Sequence, residues 1–168
     1  MERTAWCKDL HTAGSGVDTP GSPSLRPARS ADLPALLALD RACFGARAWS
    51  TRAWWQAVVD PAFTTLVMAR GDELLGALVV LPQPPVASLA SLAVDPRHRR
   101  AGLGRHMLLE ALAVAHAAAA RWLSLEVDAD NAPAVQLYRR EGFGLRRRFR
   151  EDGRWRLELV RRLGGWRG

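Results

Sequence analysis

The stretch Ser88 to Gly104, SLASLAVDPRHRRAGLG, limits what this chain can fold into more than any other. An apolar run stops at Asp95-Pro96, a basic loop follows, and two glycines open a long apolar-periodic segment. Ser88 to Val94 is short, apolar and bounded by Pro, which predicts a buried strand. After Gly104, RHMLLEALAVAHAAAA places Leu108, Leu112, Ala115 and Ala119 at helical spacing, with Met107, Ala111, Val114 and Ala118 beside them. Strand, turn and helix follow in order. A right-handed crossover then brings the next β-rich run, Trp122 to Val127, back parallel to the first.

The turn is Arg99-Arg100-Ala101-Gly102-Leu103-Gly104. A helix start leaves several amides unpaired and carries a partial positive charge, so a phosphate placed there meets donors and a favourable field together. Gly102 and Gly104 have no Cβ to block its approach, and Arg99, Arg100 and Arg105 add charge. The dinucleotide fingerprint needs three glycines in another spacing, and an NTP-binding loop needs Gly-Lys-Ser/Thr; neither occurs here. A basic loop that merely closes a strand-helix unit has the same residue types, and these six residues alone do not choose.

Downstream lies LEVDADNAPAVQLYRREGF. RRAGLG after a strand ending in Val-Asp-Pro, together with this second segment, resembles the two signatures of the GCN5-related N-acetyltransferases. Within that family the wording is most similar to the bacterial ribosomal-protein alanine N-acetyltransferases. The resemblance spans roughly Leu25 to Leu163. It implies an α/β fold in one domain, residues 25–163: a mixed, mostly antiparallel seven-stranded sheet flanked by about four helices. It also implies acetyl-CoA as co-substrate, its diphosphate on Arg99, Arg100, Ala101, Gly102, Leu103, Gly104 and Arg105. The backbone of Leu92, Ala93 and Val94 would hold the pantetheine, and Asn131 would bond to the cofactor arm.

Two side chains gain roles from the same resemblance. Alternation in Trp122 to Val127 puts Leu123, Leu125 and Val127 on one face and Ser124 and Glu126 on the other. A carboxylate inside a strand is either an ion-paired structural group, an edge-exposed one, or here the general base for an acceptor amine that arrives protonated. Tyr138 lies in the helix predicted over Ala132 to Glu141. A Tyr there packs the core or, as the resemblance implies, protonates the leaving thiolate. Asn131 also suits an ordinary N-cap. Transfer is expected to be direct, since no Cys-His or Ser-His arrangement marks a covalent intermediate.

Other stretches fill in the frame. Residues 1–24, rich in Gly, Ser, Thr and Pro without apolar periodicity, are expected to form a disordered tail, and residues 164–168 a short C-terminal one. Leu25 to Ala28 predicts a first strand. Ser30 predicts a helix cap, with Pro34 in the first turn and Leu33, Leu36, Leu37 and Leu39 continuing to about Cys43. A second helix starts near Ser50 and carries Trp54 and Trp55. The loop between them, Phe44 to Trp49, is where the resemblance places acceptor choice. Thr64 to Arg70 and Leu74 to Leu81 predict a hairpin around Gly71-Asp72-Glu73, and Phe143 to Arg150 with Arg154 to Leu163 a last one.

Composition narrows partners less. The formal charge of +7 suits an anionic cofactor, nucleic acid or an acidic partner, and does not choose. No apolar stretch reaches the ~20 residues of a membrane span and no secretory core is present, so a cytoplasmic chain is expected. Cys7 and Cys43 fit no disulfide framework, and neither they nor the four histidines have ligand spacing, so no metal is expected. A basic nucleic-acid module is a distant alternative, weakened because exposed aromatics interleaved with Arg146 to Arg150 are lacking apart from Phe149. No direct nucleic-acid role is expected, and a monomer or homodimer is.

The acceptor follows from protonation cost. At pH 7 a peptide α-amine of pKa ~8 costs about 1.4 kcal/mol to deprotonate and a lysine of pKa ~10.4 over ~4, so one modest carboxylate favours a protein N-terminus, and the resemblance implies that of a ribosomal protein. A small-molecule amine or a lysine is the alternative acceptor. Arg146-Arg147-Arg148-Phe149-Arg150 departs from the aromatic and acidic-apolar stretch of the ribosomal-protein enzymes.

Overall fold

The computed structural model describes residues 21–164. Strand β1 (Ser24–Pro27) leads through a short 3-10 turn into α1 (Leu33–Phe44), a second 3-10 turn (Gly45–Arg47) and α2 (Thr51–Val59). Strands β2 (Thr64–Arg70), β3 (Glu73–Leu81) and β4 (Val86–Val94) follow, then α3 (Leu103–Ala117), β5 (Trp122–Asp128), α4 (Ala132–Arg140), β6 (Gly144–Glu151) and β7 (Arg154–Arg162). All seven strands form one sheet in the order β1-β2-β3-β4-β5-β7-β6. Only β4 and β5 pair in parallel, so the sheet is mixed and mostly antiparallel, as the sequence implied.

Apolar side chains fill both faces. On one, Met107, Leu108, Ala111 and Ala115 of α3 and Val135 and Tyr138 of α4 pack on Leu78, Val80, Leu123, Leu125 and Leu159. On the other, Leu36 and Leu39 of α1 and Trp54 and Ala57 of α2 cover Val67, Ala77, Val79 and Ala93. A fully buried side chain of this kind contributes about 1.5–3 kcal/mol, so the sheet is held from both sides. Close approach sets β3 against α3: a Cβ on Gly76 would come within 2.7 Å of the Met107 sulfur and 2.8 Å of the Ala93 carbonyl oxygen.

Three expectations need correction. Ser30 does not cap α1; it opens the 3-10 turn, and Asp32 holds the N-cap position while its carboxylate bonds Arg26 at 2.8 Å and the Arg29 amide at 2.7 Å. The 3-10 turn over Ser30–Asp32 takes up the residues expected to open the helix, so α1 starts at Leu33. The third helix stops at Ala117: Ala119 takes φ 59 and the amide of Ala120 bonds back to Ala115 O at 3.1 Å, closing the C-terminus as a left-handed cap. Alanine periodicity alone cannot mark that end. Ser24 belongs to β1, pairing with Ala69, and is not part of the tail; residues 1–20 and 165–168 of the expected tails lie outside the described residues. Ser50 caps α2 as expected, accepting from the Ala53 amide at 3.2 Å.

Candidate active site

The site begins where two strands part. β4 and β5 pair from Val86–Trp122 to Leu89–Leu125 and no further, although β4 runs on to Val94 and β5 to Asp128. A bulge helps to turn β4 away: Val79 faces Ser91 and Val80 faces Leu89, leaving Ala90 without a partner on β3. Past Leu89, the β4 edge that faces β5, including Leu92, Ala93 and Val94, has no strand beside it among the described residues. Such a fork fits an extended, amide-bearing chain laid along β4 as an added strand.

Beyond the fork lies the basic turn. Among the described residues, the amides of residues 99–105 donate no hydrogen bond within the protein, and the first α3 bond runs from His106 N to Gly102 O at 3.0 Å. Arg100 at φ 66 and Gly102 at φ 78 bend the chain twice into the left-handed region, a backbone form that can turn neighbouring amides toward one anion. A Cβ on Gly102 would meet nothing within 4 Å, so the space in front of it is open. On Gly104 it would lie 3.6 Å from Leu137 and 3.7 Å from Val94, which brings α3, α4 and the end of β4 together at the turn. Free amides, open space and unpaired arginine charge fit a diphosphate.

The arginines are not equivalent. Arg105 bonds Glu141 at 2.6 Å, tying α3 to the end of α4. Arg99 donates to Val94 O at 3.3 Å, while Arg100 has no ion-pair partner among the described residues. Arg97, in the same loop, is held by Asp95, whose carboxyl this pairing lowers to about 2. The loop is thereby braced from below while Arg100 remains available.

Glu126 is the first residue of β5 after the pairing with β4 ends. Its side chain is 42% exposed, and Arg156 on the neighbouring β7 reaches it at 3.4 Å. Tyr138 sits in α4, buried, with its ring edge-on to Phe143 at 5.8 Å between centroids. Burial pushes the phenol up to about 12, so it stays protonated at neutral pH and can enter a reaction as an acid. Asn131 is exposed and caps α4, its side chain accepting from the Ala134 amide at 3.3 Å.

Several groups around Glu126 carried no obvious sequence signal. Asp128, two residues on and on the same strand face, is buried and accepts from Arg47 at 2.6 Å; Arg156 and Arg154 lie 3.7 and 3.9 Å away. The guanidinium of Arg47 depresses the Asp128 carboxyl. Asp40, buried on α1, accepts from the Trp49 amide at 2.5 Å. These two carboxylates hold the 45–49 loop at its middle and at its last residue, Asp128 tying Arg47 to β5 and Asp40 tying Trp49 to α1. Asp40 was detectable in principle, since it falls on the buried stripe of α1 four residues after Leu36. Asp128 looked like part of a turn, and only the tertiary pairing with Arg47 reveals it.

The loop clasp has a measurable value. Arg47→Ala is expected to lower stability by about 1–2 kcal/mol at pH 7, discounted for the exposure of the arginine. Because Arg47 lowers the Asp128 carboxyl below its ordinary value of 3.8, the wild-type advantage is present above that pH and fades as pH falls through the folded-state value. Urea titrations at pH 7 and below pH ~4 should show the gap closing.

No helix among the described residues is long and apolar enough to cross a membrane, and no group of three or more His, Cys, Asp or Glu among them could hold a metal.

The fold has many solved likenesses. The E. coli ribosomal-protein-S18-alanine N-acetyltransferase superposes with a TM-score of 0.77 at 23% identity, covering 87% of this chain and 98% of that one. Arabidopsis thaliana NAA60 in complex with acetyl-CoA gives 0.75 at 19% identity, covering 86% and 100%. By sequence, the mycothiol acetyltransferase of Thermobifida fusca is 43% identical over 61 residues, which is 36% of this chain and 19% of that protein, so this chain matches about a fifth of that relative's length. The acetyltransferase (GNAT) family model matches residues 33–143, from α1 through the fork, the basic turn and α4 to the residue before β6. With the strand fork and the amide-lined turn inside that match, the chain belongs to the acetyltransferase (GNAT) family.

Proposed function

We propose that this protein transfers the acetyl group of acetyl-CoA directly to an amine, and that the amine is the N-terminal α-amine of a protein, a ribosomal protein being the leading candidate. The observation that carries the reading is the position of Glu126: a solvent-reached carboxylate at the point where β4 and β5 separate. Bound acetyl-CoA supplies the activated thioester carbonyl. The free β4 edge at Leu92 to Val94 orients the pantetheine, and the amides of residues 99–105 with Arg99 and Arg100 hold the diphosphate. Glu126 accepts the proton of the incoming ammonium, directly or through a water. As the nitrogen bonds to the carbonyl carbon and the carbon-sulfur bond breaks, the Tyr138 hydroxyl gives its proton to the departing sulfur. Holding both substrates in one cleft lowers the entropic part of the barrier.

An α-amine suits this machinery because deprotonating it at pH 7 costs about 1.4 kcal/mol, against over ~4 for lysine. The solved likeness to the ribosomal-protein-S18-alanine enzyme is consistent with that acceptor but lies at 23% identity, where it speaks for fold. The second reading, a small-molecule amine, draws on the mycothiol acetyltransferase relatives. Incubation with labelled acetyl-CoA and either N-terminal peptides of ribosomal proteins or a panel of small amines, read by mass spectrometry, separates the two. Turnover of small amines with no labelled peptide would overturn the first. Glu126→Gln is expected to lower kcat at least about a hundredfold with the acetyl-CoA KM little changed. An unaltered rate would place the base elsewhere.

A further inference from the structure

The arginines of the last hairpin fall into two sets. Arg146 and Arg147 both bond Glu158, and Arg156 is taken by Glu151 at 2.8 Å and Glu126 at 3.4 Å. Arg148 and Arg150 have no carboxylate partner among the described residues. The register puts Arg148 opposite Leu157 and Arg150 opposite Trp155, so all three polar-ended side chains share one face. There the Arg148 guanidinium lies 4.1 Å and that of Arg150 5.5 Å from the centroid of the Trp155 ring, which is 44% exposed. β6 ends the sheet, so its outer backbone edge has no neighbour either.

We infer that this face, built on Arg148, Arg150 and Trp155, is a docking surface for single-stranded RNA. Side chains two apart on a strand project about 7 Å from each other, comparable to the separation of successive phosphates on an extended single strand. Arg150 gives one N–H to the Gly153 carbonyl oxygen at 3.1 Å, and the guanidinium N–H groups of the two arginines that are not bonded within the protein can be accepted in pairs by a phosphate. The indole is 44% exposed, so a base can stack on the part of the ring that the guanidiniums leave uncovered. An acidic peptide would satisfy the charge but leave the indole without a matching group, so RNA is the better fit. The sequence argues against nucleic acid because Phe149 alone is interleaved with these arginines; the hairpin adds Trp155 from the opposite strand. Trp155 and Arg156 point to opposite faces, which sets this surface on the other side of the sheet from Glu126.

The test is fluorescence anisotropy of the full chain with labelled oligouridylate, its oligoadenylate duplex and polyglutamate, across a salt series. Tight binding of the single strand is expected, weakened about tenfold or more by Trp155→Ala and largely kept in Trp155→Phe. Arg148→Ala with Arg150→Ala should reduce the slope of log K against log salt by about 1.4, near 0.7 for each arginine. The exposed pair Arg41→Ala with Arg52→Ala should leave affinity within about threefold. Absence of binding, equal loss in the Arg41 and Arg52 variant, or equal affinity for the duplex or polyglutamate would overturn the inference. Unchanged thermal melting certifies each variant, and Trp155→Leu, which keeps an apolar side chain but offers no stacking face and is expected to lose binding as Trp155→Ala does, takes its place should Trp155→Ala fail to fold.

Discussion

Tyr138→Phe is expected to reduce kcat by about 100-fold or more while the KM for acetyl-CoA stays within about twofold. The substitution deletes one oxygen and nothing else. The ring is packed edge-on against Phe143 inside the α3 and α4 core, and phenylalanine keeps that contact, so folding is not at issue. What disappears is a protonated phenol that burial keeps protonated up to about pH 12. The alkaline limb of the wild-type pH-rate profile therefore does not come from Tyr138 below that range. The same shift has a stability counterpart with a definite sign. A phenol whose folded pKa is raised from 10.0 to about 12 stabilises the native state below pH 10, and that contribution is lost as pH rises through 12. Steady-state kinetics with both substrates varied would settle the role: a change confined to KM would make Tyr138 a packing residue and move the proton donor elsewhere.

Gly102→Val is expected to raise the acetyl-CoA KM by at least about tenfold and to cost about 1–3 kcal/mol of stability. The cost is conformational, since Gly102 stands at φ 78 with nothing within 4 Å of where a Cβ would be. A β-branched residue resists that backbone, so the turn must rotate and the amides of Leu103 to Arg105 swing off their common focus. Gly102→Asn separates the two consequences, because asparagine tolerates the left-handed region while still filling the space in front of the turn. Near-normal melting with a raised KM in Gly102→Asn would assign the effect to occupied phosphate space. Titration calorimetry with acetyl-CoA provides the direct reading, and unchanged affinity in both variants would remove the turn from the binding site.

The sequence was most informative where periodicity and punctuation coincide. β4, the turn and α3 were legible because a Pro-bounded apolar run, two glycines and an amphipathic stripe fall in succession. The same holds for Ser50 at α2 and for the hairpin after Arg70, whose strand β3 starts one residue earlier than expected because Glu73 pairs with Arg70. Residues of the candidate site fall inside the recognisable segments, and the structure gathers Leu92 to Val94, the turn and Glu126 around one fork. What stayed hidden depends on partners distant in the chain. The break in β4–β5 pairing after Leu89, beside the irregularity in the β3–β4 register, has no mark in a run of apolar and small residues. Asp128 acquires meaning only from Arg47, 81 residues earlier, and Glu126 its brace only from Arg156. Helix ends set by side-chain competition, as at Asp32, or by a left-handed alanine, as at Ala119, leave no compositional trace.

The insertion of β7 between β5 and β6 has a temporal consequence. β5 leaves the ribosome with its antiparallel edge bare, and that edge is filled only when Arg154–Arg162 has been synthesised. Leu159, fully buried, and Arg156, which steadies Glu126, both arrive on that late strand. A nascent chain that already carries every residue of both signature motifs therefore still lacks the strand that covers β5 and the arginine that reaches Glu126.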